Sequence, residues 1–214
     1  MEPTSEHSSQ AEDLLRQAEA AYRKGESERA EELCRQVLAI CQNAGLDQES
    51  AAPREGDHLI QDAVPFVDGV SGLTIRQVAA RAESRLGVLA AGRKDWGAAR
   101  QHLETAIGLD PKYAPAVANL GNIEREEGHL EKAIERYRQA LDLDPELAMA
   151  YHNLGVVYRQ QGDYQRAIPL LKKAARMAAQ QQPGHREART GNRLTAWILV
   201  IVVLALIWAI MRPR

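Results

Sequence analysis

Residues 118–174 read ANLGNIEREEGHLEKAIERYRQALDLDPELAMAYHNLGVVYRQQGDYQRAIPLLKKA, and the same pattern returns in them after 34 residues. The most regular feature is a Leu-Gly pair, present at Leu86-Gly87, Leu120-Gly121 and Leu154-Gly155. Three units align with this period and without a gap, namely 80–113, 114–147 and 148–181. A fixed period of this length indicates repeats that stack on one another.

The small residues of the repeat indicate two closely packed helices in each unit. Glycine at the eighth position lets the first helix approach the second, and alanines at two later positions do the same from the second helix. Those alanines are Ala99, Ala133, Ala167, Ala106, Ala140 and Ala174. Gly128 and Gly162 fall in the predicted turn between the helices, and Asp163 is placed to cap the next helix. Pro111 and Pro145 separate the units, because proline disfavours helix continuation.

Spacing, small residues and prolines together resemble the tetratricopeptide repeat family. A weaker unit resembles it over residues 11–44, although Gln17 and Gln42 stand where Leu and Pro are usual. Glu83 and Glu124 depart from the family pattern inside the better units. The resemblance implies an all-α superhelical solenoid, in which the first helix of each unit lines a concave face.

Two stretches near the N-terminus carry no repeat signature. Residues 1–10 are polar and contain no apolar run, so we predict a disordered tail and no secretory signal. Residues 45–79 contain several glycines and prolines, and we predict a long loop with a helix starting near Thr74. The apolar patch AVPFV at 63–67 is predicted to dock onto the array, the alternative being contact with a partner.

The C-terminal residues predict a membrane anchor. Residues 182–193 are polar and are interpreted as a juxtamembrane linker. Residues 194–211, LTAWILVIVVLALIWAIM, contain neither a charge nor a proline. As a helix they would be about 27 Å long, close to the thickness of the hydrocarbon core of a bilayer. Trp197 and Trp208 lie near the two ends, where indoles favour the interface. We expect a tail-anchored, single-pass protein with its N-terminal part in the cytoplasm, in the inner membrane if the organism is bacterial.

Composition and motifs argue against several functional classes. The net charge of −2 lacks the basic excess typical of nucleic-acid binding. No phosphate-binding loop or catalytic motif is found, so we predict no enzyme activity, no cofactor and no metal. His102 and His129 are interpreted as ordinary surface residues. Cys34 and Cys41, seven residues apart on one predicted helix, are predicted to be buried thiols without a disulfide.

The family resemblance also implies a peptide-binding groove. In the family, positions 2, 5, 6, 9 and 12 of the first helix point into it. These positions hold Arg81, Ser84, Arg85, Asn119, Asn122, Arg125, Met149, His152, Asn153, Val156 and Arg159. Asparagine can bind a peptide backbone and arginine can bind carboxylates, so we predict an extended or helical ligand of acidic character. The clamp that binds chaperone C-termini is not expected, because Asn119 alone matches its pattern.

Two functions of different kinds follow. The first is a membrane-anchored scaffold or adaptor that binds partner proteins or peptides at the cytoplasmic membrane face. The alternative is a structural subunit of a membrane complex assembled through its transmembrane helix, where Ala205 and Ala209 form a small-xxx-small pair. No polar capping helix is evident after the last unit, which leaves a homo-oligomer open.

Overall fold

The computed structural model describes residues 3–44 and 72–181, and this part of the chain forms eight α-helices and no strand. The helices are α1 (Pro3–Arg23), α2 (Ser27–Asn43), α3 (Ile75–Gly92), α4 (Trp96–Leu109), α5 (Ala114–Glu126), α6 (Leu130–Leu143), α7 (Ala148–Gln160) and α8 (Tyr164–Gln181). The predicted all-α repeat array is confirmed.

Consecutive helices pack in four pairs, α1 with α2, α3 with α4, α5 with α6 and α7 with α8. Each odd-numbered helix also contacts the odd-numbered helix of the next pair, whereas neighbouring even-numbered helices among the eight make no comparable contact. The odd-numbered helices therefore form an inner layer and the even-numbered helices an outer layer of a curved array.

Three glycines of the inner layer permit the close approach within pairs. A Cβ built on Gly121 would lie 2.8 Å from Cε1 of Tyr137, and one on Gly87 would lie 2.8 Å from Cγ of Leu103. A Cβ on Gly155 would meet Cγ of Leu171 at 2.9 Å. These distances are far below the roughly 3.5–4.0 Å of favourable carbon contacts. The predicted role of the Leu-Gly pairs is confirmed.

The turns within the pairs use left-handed backbone conformations. Gly25, Gly128 and Gly162 have φ values of 80°, 83° and 78°. The turn of the second pair has Lys94 instead, at a φ of 62°. A residue with a side chain is strained in this region relative to glycine, so the second turn has the most backbone strain of the four.

Aspartate side chains cap two of the outer helices. Oδ1 of Asp95 accepts a hydrogen bond from the backbone N–H of Ala98 at 3.0 Å. Oδ1 of Asp163 accepts one from the N–H of Arg166, also at 3.0 Å, which confirms the predicted cap. Each bond satisfies a backbone donor that the helix itself leaves unpaired.

The first helix reaches almost to the N-terminus. Because α1 begins at Pro3, the predicted disordered tail over 1–10 is wrong for residues 3–10. Ala11 is fully buried, and the buried Glu12 accepts a hydrogen bond from the backbone N–H of Leu73 at 3.2 Å. These tertiary contacts hold turns of the helix that would otherwise fray.

The insert does not separate the first pair from the others, since α1 and α2 pack directly on α3. Thr74 caps α3 in a reciprocal arrangement, accepting from the backbone N–H of Gln77 while the Gln77 side chain accepts from the N–H of Thr74. The predicted helix start is confirmed. The patch at 63–67 lies outside the described residues, and its docking stays a prediction.

Both cysteines lie in the core of the first two pairs. Cys34 and Cys41 are free and fully buried, as predicted. Burial raises the pKa of Cys34 to about 12 and that of Cys41 to about 11. Neither thiol is therefore in its reactive thiolate form near neutral pH.

Over residues 3–44 and 72–181, no helix combines the length and the apolar character needed to cross a bilayer. The predicted linker at 182–193 and the predicted span at 194–211 lie outside the described residues.

Candidate binding groove

Of the predicted groove residues on α3, Arg85 contacts the first pair and Ser84 is buried. Ser84 is buried, with 4% of its surface exposed. Arg85 forms a bidentate salt bridge with Glu19 of α1, in which its Nε lies 3.1 Å from Oε1. The Arg85 guanidinium also covers the Tyr22 ring, 4.1 Å from the centroid. Burial of Ser84 and the contacts of Arg85 with α1 thus argue against the prediction that these two side chains are available to a ligand.

Two further arginines of the inner layer are half-buried and already engaged. The Arg81 guanidinium lies over the ring of Tyr113, 5.4 Å from its centroid. Nη2 of Arg125 lies 2.6 Å from Oε1 of the neighbouring Glu126. Contact of either arginine with a ligand carboxylate would therefore compete with an existing interaction.

The predicted asparagines form one hydrogen-bond network between the third and fourth pairs. Oδ1 of Asn122 accepts from the hydroxyl of Tyr137 at 2.8 Å and from Nδ2 of Asn153 at 2.7 Å. Nδ2 of Asn122 donates to Oδ1 of Asn119 at 3.2 Å. Burial raises the pKa of Tyr137 to about 12, so its hydroxyl stays a donor. The network joins α5, α6 and α7 and holds the amides in fixed positions.

The members of this network differ in accessibility. Asn153 is buried, whereas Asn119 and Asn122 are half-buried. Nδ2 of Asn119 donates no hydrogen bond to any residue that the structure describes. Asn119 is therefore the network member best placed to donate to the backbone of a bound segment.

The most accessible predicted residues lie on α7. Met149, His152 and Arg159 are exposed, and Val156 between them is half-buried. Arg159 forms no ion pair within the described part of the chain. This helix thus offers apolar surface, an imidazole and a cation side by side.

A cavity of about 320 Å³ adjoins the asparagine network at the junction of the second and third pairs. It is lined by Ala91, Gly92, Lys94, Trp96, Asn122, Ile123 and Glu126. The volume lies at the lower end of the roughly 300–1,000 Å³ typical of ligand pockets, which suits one or two apolar side chains. The cavity was not predicted. Its sequence signals were Trp96 at the start of α4 and Lys94 in a turn that elsewhere has glycine.

The unusual Glu124 is at the centre of an ion cluster between the second and third pairs. Nη1 and Nη2 of Arg100 lie 2.8 Å from carboxylate oxygens of Glu124 and Glu127 respectively. Nδ1 of His129 lies 3.1 Å from the other oxygen of Glu124. Burial by itself would raise the pKa of Glu124, but the hydrogen bonds from Arg100 and His129 hold this pKa below its ordinary value.

Glu124, Glu127 and His129 each place one ligand atom within 4.8 Å of the others, a spacing that suits a metal ion. Arg100 already supplies the positive charge that a cation would bring, so we interpret the group as a salt-bridge cluster. Nδ1 of His102 is similarly 2.7 Å from a carboxylate oxygen of Glu83. His129 is exposed and His102 is half-buried, and each also contacts a carboxylate, which the prediction of ordinary surface residues did not include.

Comparisons with known proteins support the repeat assignment. Residues 121–162 match a family model described as TPR repeat, and residues 146–198 match one described as tetratricopeptide repeat. Over residues 121–198 the chain is therefore similar to tetratricopeptide repeats. No curated protein matches the chain in sequence.

Solved structures share the fold. MamA is 22% identical, with a TM-score of 0.50, and the match covers 80% of each chain. PilF of Pseudomonas aeruginosa is 21% identical, with a TM-score of 0.55, over 81% of this chain and 64% of that one. An O-GlcNAc transferase from Thermobaculum terrenum is 24% identical, with a TM-score of 0.51, over 74% of this chain and 23% of that one. At these identities the likeness concerns the fold alone.

Proposed function

We propose that the protein is a membrane-anchored tetratricopeptide scaffold that binds a segment of a partner protein along its inner layer of helices. The observation that carries this proposal is the accessible surface of α7, where Met149, His152 and Arg159 lie beside a rigid asparagine network. A broad surface with ordered amides and mixed chemistry fits a peptide segment better than a small molecule.

The surface favours a partner segment with three chemical features. An acidic residue would pair with Arg159, because a charge-assisted hydrogen bond is stronger than a neutral one. Backbone carbonyls would accept from Asn119. An apolar side chain would enter the cavity beside Trp96, which Asn122 of the network also lines. Since Arg85 is bound to Glu19, the acidic contact belongs to the α7 end of the groove.

The membrane anchor in this proposal consists of residues 194–211. Its support is the sequence, which has an uncharged apolar run flanked by Arg193 on one side and by Arg212 and Arg214 on the other. With this anchor the array would lie at the cytoplasmic face of a membrane. In a bacterium this membrane would be the inner one.

Site-specific photo-crosslinking tests the groove with the full chain in native membranes. A photoreactive amino acid is placed at Met149 or His152 of the inner layer, and at Glu135 on the outer layer as a matched exposed control. The proposal requires that the two inner positions capture the same protein and that the outer position does not. Identical capture from all three positions would contradict it.

Charge reversal then tests the partner chemistry. Arg159→Glu removes a charge-assisted bond of about 1.5–3 kcal/mol, so capture should need a roughly tenfold to hundredfold higher partner concentration. Lys112→Glu makes the same change of charge at an exposed position in the turn before α5 and should leave capture unchanged. An unaltered yield with Arg159→Glu would remove the acidic contact from the proposal.

The anchor is tested separately from the groove. The full chain should stay with membranes through an alkaline wash, and a chain ending at residue 193 should not. Replacing residues 194–211 by an unrelated apolar helix of the same length should preserve the crosslinks of a scaffold. Loss of all crosslinks in that variant would favour the alternative, a subunit assembled through its transmembrane helix.

A further inference from the structure

α8, the last helix in the described part of the chain, exposes a stacking surface. Tyr164 and Ile168 of α8 are 59% and 50% exposed. The residues 34 positions earlier, Leu130 and Ile134, are half-buried and pack into the core shared by the third and fourth pairs. On α6 the equivalent strip is covered by the neighbouring pair, whereas on α8 it is exposed.

The same helix carries an unusual charge. It contains Arg166, Lys172, Lys173 and Arg176 and no acidic residue. The outer helix of the preceding pair, α6, has three acidic and three basic residues. The basic excess is thus a property of α8 and does not belong to the repeat pattern.

Two of these cations are available and adjoin the apolar strip. Ile168, Lys172 and Arg176 are spaced by four residues, so they follow one another along one face of the helix. Lys172 and Arg176 are exposed and form no ion pair among the described residues. Lys173, in contrast, donates to the hydroxyl of Tyr151 at 2.6 Å. Arg166 is paired with Asp163. The outward face therefore combines apolar residues with uncompensated positive charge.

We propose that this face of α8, formed by Tyr164, Ile168, Lys172 and Arg176, docks on the anionic lipid surface of the membrane. The proposal rests on the anchor put forward under the proposed function. Residues 182–193 join α8 to that span, and twelve residues reach at most about 40 Å, so the helix is held close to the headgroups. Basic amphipathic helices bind such surfaces by inserting apolar side chains and attracting anionic lipids. Docking through the end of the array leaves the groove on α5 and α7 open to partners.

The test uses the full chain reconstituted into vesicles of phosphatidylcholine, with or without phosphatidylglycerol. A fluorophore is attached at Ala175→Cys, an exposed position of α8, and the vesicles contain a lipid with a nitroxide on its headgroup. The buried native thiols do not compete for the label. Quenching should be strong with phosphatidylglycerol and weak without it, and a label at Glu135→Cys on α6 should stay unquenched.

Charge reversal decides between lipid docking and other occupants of this face. Each basic residue near an anionic surface contributes about fivefold to binding, so Lys172→Glu with Arg176→Glu should lower the docked-to-free ratio at least twentyfold. Lys24→Glu with Lys112→Glu, the same charge change at exposed sites elsewhere, should have no such effect. Equal quenching in the two lipids, or no response to the α8 reversal, would overturn the proposal. A second copy covering the face would produce that lipid-independent result.

Failure of the anchor gives a different result from failure of the docking. If the chain leaves the vesicles in an alkaline wash, the proposed anchor is wrong. Docking through α8 would then still appear as salt-sensitive binding to phosphatidylglycerol vesicles that the α8 reversal abolishes. If the chain withstands the wash but the Ala175 label is not quenched, the anchor stands and the docking is wrong.

Discussion

Replacing Gly121 by alanine tests the close contact between α5 and α6. The added Cβ would lie 2.8 Å from Cε1 and 3.0 Å from Cδ1 of Tyr137, and 3.2 Å from Cβ of Arg136. Tyr137 is fully buried and its hydroxyl donates to Asn122, so the ring cannot shift without disturbing that hydrogen bond. Overpacking in a closed core costs about 1–3 kcal/mol. The higher helix propensity of alanine offsets roughly 1 kcal/mol of this cost, so the free energy of unfolding should fall by up to about 2 kcal/mol.

A second glycine provides the reference for this measurement. Gly108 lies inside α4, and a Cβ there would meet no atom within 4 Å. Gly108→Ala should therefore stabilise the array by about 0.5–1 kcal/mol through propensity alone. Subtracting one variant from the other cancels the propensity contribution and leaves the overpacking cost. The stability of Gly155→Ala should lie between those of the other two variants, because the contacting residue Leu171 is half-buried and can move more easily.

The assay is urea unfolding of the full chain in mild detergent, followed by circular dichroism. Gly121→Ala should unfold at a lower urea concentration than the unchanged protein, and Gly108→Ala at a higher one. If the two alanine variants unfold at the same urea concentration, the close approach at Gly121 contributes nothing and the reasoning is refuted.

Three further predictions concern single residues. Lys94→Gly should stabilise the array by about 1 kcal/mol in urea unfolding, because it relieves the positive φ of the second turn, whereas Lys94→Ala should not. Glu124→Gln should destabilise it by about 1–3 kcal/mol at neutral pH. Because the folded pKa of Glu124 is lowered, this difference should be present above the unfolded pKa, near 4.5, and vanish as the pH falls through the folded pKa, as unfolding at a series of pH values would show. Cys34 and Cys41 should resist a thiol reagent at pH 8 in the folded protein and react on addition of urea, and rapid reaction without urea would contradict their burial.

Features that recur with the 34-residue period could be predicted from the sequence, because they depend on contacts within one unit. The closeness of Gly121 to its outer helix and the capping role of Asp163 are of this kind. The start of α3 at Thr74 could also be predicted, since a capping box is a local arrangement. The predicted fold class followed from such local contacts and did not require knowledge of how the pairs stack.

Features that depend on contact between pairs could not be predicted in this way. The bond between Arg85 and Glu19 joins residues 66 positions apart across the insert, and it withdraws Arg85 from the groove. The N-terminal half of α1 similarly contacts a distant residue, since Ser8 and Glu12 both form hydrogen bonds with the backbone of Leu73. The sequence by itself thus determined the repeat and its helix pairs, and the apolar residues 194–211 are the basis of a membrane anchor that stays a prediction. Tertiary structure alone decided which inner side chains remain free, because a neighbouring pair occupies some of the positions that the repeat pattern assigns to a ligand.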